Sequence, residues 1–154
     1  MIKAWKLTKA RRISSALTGE GAFLFGARWN RAGTRVVYAS DSLALSALEQ
    51  FVHLDKAARR LQLVSLWLEI PDGVTIDILR IGDVPRDWRH EPPPLSTQEL
   101  GNAWIGRGSS AILKVPSVIV PSEFNYVLNP AHIDFDRIKL AAQRPFSFNS
   151  RMWK

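Results

Sequence analysis

Alternating hydrophobic and polar residues predict several short β-strands in this chain. Residues 4–7 alternate in this way, as a half-buried strand does. Residues 36–39 form a run of β-branched and aromatic side chains, and residues 61–70 form a longer apolar run that ends at a Pro-Asp-Gly turn. Further strands are predicted at residues 74–79, 111–120 and 124–128, with a final one from Arg144 that carries Phe146, Phe148 and Trp153.

The clearest helix is predicted after residue 41, where apolar residues recur at spacings of three and four. The residues on this face are Leu43, Ala44, Ala47, Leu48, Phe51 and Val52. Asp41 or Ser42 can cap the start of the helix, because a short side chain with an oxygen satisfies free amide groups there. We expect the helix to continue toward Arg59 and Arg60.

Prolines and glycines separate the remaining elements. A short helix is predicted to begin at Ser96 or Thr97 and to end within residues 106–108. Pro116 interrupts the run 111–120, which favours an edge strand or a bulge there. Residues 9–27 have no clear pattern. The sum predicts an α+β fold, with one compact, strand-rich domain over residues 1–154.

Composition narrows the class of protein. The chain has 154 residues, 46% of them hydrophobic, and no cysteine. This length is enough for one domain with its own core. The apolar fraction excludes a disordered or low-complexity chain, and the lack of cysteine excludes a disulfide scaffold, a thiol nucleophile and an iron–sulfur site.

The net charge of +7 is concentrated in the first part of the chain. Residues 1–40 contain eight basic residues and one acidic residue, whereas residues 41–100 contain six basic and ten acidic ones. A basic segment is typical of proteins that bind nucleic acid, an anionic lipid, a phosphate-bearing ligand or an acidic partner. The sequence has no apolar run typical of a signal peptide or a membrane span, so we expect a cytoplasmic protein that does not engage a membrane.

Common catalytic and metal-binding motifs do not occur in the sequence. The three histidines have no ligand spacing, and there is neither a dinucleotide-binding glycine fingerprint nor a Gly-x-Ser-x-Gly elbow. Five polar residues near apolar elements remain as candidates for chemistry: Arg28, Tyr38, Glu49, Ser96 and Ser117. Taken singly, each has an ordinary structural explanation, such as a solvated loop arginine or a helix cap.

Taken in order, these residues lie in a series of motifs. The string Gly-x-Arg-Trp-Asn-x-x-Gly-Thr-x-Val-Val-Tyr-x-Ser occupies residues 26–40 and is followed by the predicted helix that reaches Glu49. Further blocks occupy residues 96–104, 113–117 and 125–132. The combination, which spans nearly the whole chain, resembles the RES domain, a family named for an arginine, a glutamate and a serine.

The resemblance implies a fold similar to that of ADP-ribosyltransferases and an activity that consumes NAD. RES proteins are toxins of bacterial type II toxin–antitoxin systems, and they hydrolyse or phosphorolyse the bond between nicotinamide and ribose. Some members ADP-ribosylate a protein. The implied partner is a helix-turn-helix antitoxin of the Xre type, through which alone the complex would contact DNA.

The resemblance also assigns roles to residues. The family's arginine maps onto Arg28, its active-site tyrosine onto Tyr38 and its glutamate onto Glu49. Its serine corresponds to Ser96, give or take one position, with Ser117 as the rival. Some relatives have an arginine where this chain has Lys6, which keeps the charge but loses two-pronged phosphate recognition. The expected catalytic residues are Arg28, Tyr38, Glu49 and Ser96, the expected NAD-binding residues are Lys6, Arg28, Tyr38 and Ser117, and no metal is expected.

These residue types suit the cleavage of NAD. Breaking the glycosidic bond passes through an oxocarbenium-like state, whose positive charge the Glu49 carboxylate would stabilise. Arg28 would bind phosphate oxygens, and Tyr38 would stack on nicotinamide or bond near the ribose. Three alternatives stay open: a transferase that modifies a protein with the same residues, a basic nucleic-acid-binding module, and an inactive scaffold of the same fold.

Overall fold

Seven strands form a single mixed sheet in the computed structural model, which describes residues 1–153. The strands are β1 (Ile2–Lys9), β2 (Val37–Ser40), β3 (Leu63–Ile70), β4 (Ile76–Ile78), β5 (Ile112–Pro116), β6 (Phe124–Leu128) and β7 (Lys139–Phe146). Their order is β4-β5-β6-β2-β1-β3-β7, and every pair is antiparallel except β4 and β5. The predicted strand-rich α+β fold is therefore confirmed.

Three α-helices accompany the sheet: α1 (Glu20–Phe25), α2 (Leu43–Phe51) and α3 (Leu95–Arg107). Short 3-10 helices lie at Ala10–Ser15, Lys56–Arg60, Ile81–Asp83, Ile133–Arg137 and Ser150–Met152. No helix within residues 1–153 is both long and apolar enough to span a membrane. Since α1 falls within residues 9–27, it is an element that the sequence pattern did not reveal.

The predicted start of α2 is confirmed, but its predicted end is wrong. The Ser42 side chain caps the helix by accepting from the Leu45 N–H at 3.0 Å. The helix ends at Phe51 and does not continue to Arg59 and Arg60. Those residues belong to a separate 3-10 helix, because the Asp55 carboxylate accepts from the Ala58 N–H at 3.1 Å and starts a new turn.

Helix α3 is longer than predicted, and neither Ser96 nor Thr97 caps it. It begins at Leu95, directly after Pro94, whose fixed backbone dihedral suits the start of a helix. The Thr97 hydroxyl donates back to the Pro94 carbonyl at 3.1 Å. The predicted end is confirmed, since Gly108 terminates the helix in the left-handed conformation with φ 60°.

The core consists of two hydrophobic clusters on opposite faces of β6. Tyr126 and Leu128 belong to one cluster and Val127 to the other, because alternate residues of a strand point to opposite faces. The second cluster contains the tryptophans Trp29, Trp88 and Trp104. It therefore joins the loop after α1 and the segment before α3 to the sheet.

Helix α3 holds the loop after α1 by direct backbone contact. A Cβ atom at Gly101 would lie 1.7 Å from the Trp29 carbonyl oxygen, so only glycine allows this approach. The Gln98 side chain donates to the Ala27 carbonyl at 3.0 Å, and the Asn102 side chain accepts from the Arg31 N–H at 3.0 Å. The position of the motif around Arg28 thus depends on α3.

Pro116 is the last residue of β5 and lies opposite Phe124 of β6. Strand β5 has a neighbour on each side, but β4 pairs only with residues up to Lys114. β5 is therefore not an edge strand, and the strand predicted over residues 111–120 ends at Pro116, which lies beyond the end of β4, so that the missing N–H of this proline disrupts no pairing with β4. The final strand β7 begins at Lys139, earlier than predicted, and Phe148 and Trp153 lie beyond its end.

Candidate active site

A cavity of about 460 Å³ lies beside α2, at the ends of β2 and β6. Its lining includes four of the residues singled out in the sequence, namely Lys6, Arg28, Tyr38 and Glu49. Asn125, Glu91 and Pro93 complete other parts of the wall. Residues from seven separate segments of the chain therefore surround one space large enough for a small-molecule ligand.

Glu49 is held through one of its two carboxylate oxygens. Oε1 accepts from the Ser117 hydroxyl at 2.7 Å and from the Asn125 side-chain amide at 2.6 Å. Within residues 1–153, no hydrogen bond or ion pair is made to Oε2. The carboxylate is thus fixed in orientation while its second oxygen stays available to a ligand.

The two donors to Glu49 are themselves fixed. The Ser117 hydroxyl oxygen accepts from the N–H groups of Ile119 and Val120, both at 3.1 Å. The side-chain oxygen Oδ1 of Asn125 accepts from the Ser40 hydroxyl at 2.7 Å, because the β2–β6 register places these residues opposite each other. Their side chains therefore have little freedom to turn away from the carboxylate.

Arg28 is nearly buried, with 12% of its side chain exposed. Its Nη1 donates to the carbonyl oxygens of Trp88 and His90, both at 2.8 Å. Its Nη2 forms an ion pair with the carboxylate of Glu91, which is 68% exposed. Arg28 thus holds the segment before α3 at the cavity. Its Nη2 already binds an anionic group, the carboxylate of Glu91.

The Tyr38 hydroxyl holds the loop that carries Arg28. It donates to the Asn30 side-chain oxygen at 2.7 Å and accepts from the Trp29 N–H at 3.1 Å. Burial raises the pKa of Tyr38 well above its usual value, so the hydroxyl stays protonated. Since these two contacts use the hydroxyl, the ring is the part of Tyr38 that remains for a ligand in the cavity.

Lys6 is a half-buried cation whose only hydrogen bond in the described chain goes to a carbonyl group. Its Nζ donates to the Tyr38 carbonyl oxygen at 3.0 Å. No carboxylate of residues 1–153 lies within 4 Å of Nζ. Burial lowers the pKa of Lys6 to about 8 because the charged form is poorly solvated. An anionic ligand would supply the missing partner.

The structure does not bring Ser96 to this cavity. Its hydroxyl donates to the Asp87 carboxylate at 2.6 Å, in the first turn of α3. The rival, Ser117, is fully buried and bonds Glu49 instead. The structure therefore places Ser117 in contact with Glu49, whereas Ser96 contacts Asp87 on the segment before α3.

Asn125, Ser40 and Asn30 are site residues that the sequence reasoning missed. Asn30 is fully buried, and its amide donates to the carbonyls of Ala22, Arg31 and Thr34, which shapes the loop. The sequence did contain a signal for them, because all three are polar residues inside the motif blocks 26–40 and 125–132. Within residues 1–153 there is no group of three or more side chains placed to hold a metal ion.

Sequence comparison identifies related proteins over almost the whole chain. The model of the RES domain matches residues 3–149. A Prs ADP-ribosylating toxin from Sphingobium sp. (strain YBL2) is 37% identical over 152 residues, which cover 96% of this chain and 94% of that protein. A protein named Toxin Res from Photorhabdus laumondii is 37% identical over 151 residues, covering 97% of this chain and 96% of that protein.

A solved structure has the same fold. The M. tuberculosis MbcT–MbcA toxin–antitoxin complex contains a chain that matches 95% of this one with a TM-score of 0.77. The match covers 84% of that chain, at 17% sequence identity. At this identity the similarity supports the fold alone.

Proposed function

This chain belongs to the RES domain family, and we propose that it is an NAD-cleaving toxin of a bacterial toxin–antitoxin system. The observation that carries the proposal is the carboxylate of Glu49, fixed through Oε1 in a cavity that also contains the cations Lys6 and Arg28. A fixed anion beside two cations suits a substrate that has an anionic diphosphate and forms a cation where it reacts.

Glu49 acts on the ribose. The bond between ribose and nicotinamide breaks with its electron pair leaving on nicotinamide, which departs as a neutral molecule. The positive charge that develops on the ribose is stabilised by the negative Glu49 carboxylate, whose free Oε2 is also able to accept from a ribose hydroxyl. Water then bonds to the ribose carbon and releases a proton, or inorganic phosphate takes the place of water.

Ser117 and Asn125 act as positioning residues in this reaction. Both donate to Oε1 of Glu49 and leave Oε2 to the substrate, so in this proposal they hold the carboxylate without touching the reacting atoms. A preorganised carboxylate stabilises the transition state without reorienting during the reaction. In this proposal the serine after which the family is partly named corresponds to Ser117 and not to Ser96.

Lys6 and Arg28 bind the diphosphate. Lys6 offers an ammonium group with no counter-ion within residues 1–153, and Arg28 offers Nη2, which a phosphate would take over from Glu91. An ion pair to a carboxylate as exposed as that of Glu91 is readily exchanged. Removal of the competing carboxylate by Glu91→Gln should therefore lower the KM for NAD, whereas an increased KM would show that Glu91 supports the site.

The partner we propose is an Xre-type helix-turn-helix antitoxin, and contact with DNA would be made by that partner. This rests on the family and on relatives named as toxins. Expression of the chain alone should arrest bacterial growth, and co-expression of a helix-turn-helix protein encoded beside its gene should relieve the arrest. Growth at the normal rate during expression of folded chain would contradict the toxin function.

An assay on the purified chain tests the reaction directly. NAD is supplied with and without inorganic phosphate, and the products are identified by mass spectrometry. Glu49→Ala should abolish NAD loss, while Glu99→Ala, which removes an exposed carboxylate from α3, should leave it unchanged. Loss of NAD at the parental rate in folded Glu49→Ala would refute the site.

Protein ADP-ribosylation is the second candidate, favoured by the relative that is named an ADP-ribosylating toxin. The same residues would serve, because only the group that captures the ribosyl cation differs. Free ADP-ribose, or ADP-ribose carrying an extra phosphate, with no modified protein would exclude this reaction. An ADP-ribosyl group on a protein in a lysate supplied with NAD would favour it.

A further inference from the structure

A second cavity of about 480 Å³ lies next to the first. It is bordered by β1, the 3-10 helix Ala10–Ser15, helix α1 and the start of β2. Lys6, Leu7, Tyr38 and Gln50 line both cavities. The two cavities therefore adjoin along these four residues, one of which is the cation Lys6.

The lining of the second cavity combines positive charge with an exposed aromatic ring. Lys6, Lys9 and Arg12 contribute three cations, and Glu20 is the one acidic residue in the described lining. Phe25, the last residue of α1, is 75% exposed although it is a large apolar side chain. Cations bind phosphate oxygens, and an exposed aromatic ring is a platform on which a base can stack.

We propose that this second cavity binds the adenosine half of NAD, with the diphosphate at Lys6, a phosphate oxygen near Arg12 and the adenine ring against Phe25. The inference rests on the proposed function, because it assumes that the nicotinamide half occupies the cavity of Glu49. NAD consists of two nucleoside halves joined by a diphosphate, and the protein likewise has two adjoining cavities of similar size that share Lys6 in their lining.

Two substrates that share the reacting bond test this inference. Nicotinamide mononucleotide has the same nicotinamide–ribose bond as NAD but lacks the adenosine half. Phe25→Ala and Arg12→Glu should each lower kcat/KM for NAD by about tenfold, and should leave kcat/KM for nicotinamide mononucleotide unchanged. Both side chains are exposed, so the variants should fold normally, as thermal unfolding would verify.

Arg11→Glu is the matched control for Arg12→Glu. Arg11 is exposed, is the preceding residue and undergoes the same change of charge, but it does not line either cavity. We expect it to resemble the parent chain with both substrates. Equal effects of the two arginine variants would mean that the overall charge matters and that the second cavity does not bind the nucleotide.

Inhibition by AMP gives a second readout that does not depend on turnover of the shorter substrate. AMP should compete with NAD, and Phe25→Ala and Arg12→Glu should raise its inhibition constant about tenfold while Arg11→Glu does not. Absence of inhibition by AMP, or equal losses with both substrates, would overturn the assignment while the Glu49 chemistry stands. If the parent chain cleaves neither substrate, the proposed function itself fails.

Discussion

At the residue scale, Glu49 depends on a partner that lies 76 residues away in the sequence. Asn125→Leu keeps a side chain of similar size but removes the donor to Oε1, so the carboxylate is held by Ser117 alone. We expect kcat to fall about tenfold with little change in KM, since a hydrogen bond to a charged group is worth about 1.5–3 kcal/mol. Steady-state kinetics with NAD measure both constants.

The control for this prediction is Asn149→Leu. Asn149 is an exposed asparagine whose side chain bonds Arg151, in the 3-10 helix near the end of the chain. Its replacement should leave both constants unchanged. If Asn125→Leu raised KM and left kcat intact, Asn125 would contact the substrate and would not be a positioning residue.

The pKa of Lys6 predicts how NAD binding depends on pH. Burial lowers this pKa from 10.5 to about 8, so below pH 8 the free protein carries the ammonium ion that binds phosphate. Above pH 8 the free protein is neutral at Lys6, and the KM for NAD should rise by up to about tenfold per pH unit. Lys6→Arg stays charged and should remove the rise. An identical KM profile in both proteins would exclude Lys6 from diphosphate binding.

The sequence motif singled out three charged residues that line the first cavity, Lys6, Arg28 and Glu49, but not their partners. Arg28 and Glu49 were assigned by their place in an ordered motif, which needs no knowledge of distance. Ser117 and Asn125 reach Glu49 because β5 and β6 bring two later segments to α2, and a choice between Ser96 and Ser117 requires that geometry. The pairing of Arg28 with Glu91 likewise joins residues 63 positions apart.

At the scale of elements, the contact of α3 with Trp29 holds the loop that carries Arg28 in position. Gly101→Ala would place a methyl group 1.7 Å from the Trp29 carbonyl oxygen, so the helix and loop must separate. We expect a loss of about 1–3 kcal/mol in the free energy of unfolding and an increased KM for NAD. Denaturant unfolding and kinetics test the two effects.

Gly106→Ala is the matched control in the same helix. Gly106 is exposed and a Cβ atom there would meet no atom within 4 Å, so alanine should add about 0.5–1 kcal/mol of stability through its higher helix propensity. If Gly101→Ala were equally harmless, α3 would not position the loop.

The predicted elements were accurate where a local pattern decides the structure. The Ser42 cap, the Gly108 stop and the strand Phe124–Leu128 follow from nearby residues alone. Helix α1 has six residues between Gly19 and Gly26, too few to produce a helical period. The end of α2 was also missed, because the break at Asp55 comes from a competing cap and not from a change in hydrophobicity.

At the scale of the whole molecule, part of the positive charge behind the net +7 lies around the two cavities. Lys6, Lys9, Arg12 and Arg28, four of the eight basic residues in the first 40, line one or both of them. Strand β1, the 3-10 helix Ala10–Ser15 and the loop after α1 place these cations around the two adjoining cavities. The net charge alone leaves nucleic-acid binding open as an alternative, whereas the position of these four cations favours a small anionic ligand.

The dependence of activity on salt separates these two uses of positive charge. NAD has a short diphosphate, and salt screens the half-buried Lys6 less than an exposed cation, so the KM for NAD should rise only shallowly with ionic strength and kcat should stay constant. A protein that neutralises many phosphates of duplex DNA loses affinity steeply as salt increases. Kinetics with NAD and DNA binding by the isolated chain, measured over the same salt series, give the comparison. Tight, steeply salt-dependent DNA binding together with no loss of NAD would mean that these four cations bind nucleic acid. The interpretation that they bind a dinucleotide would then be wrong.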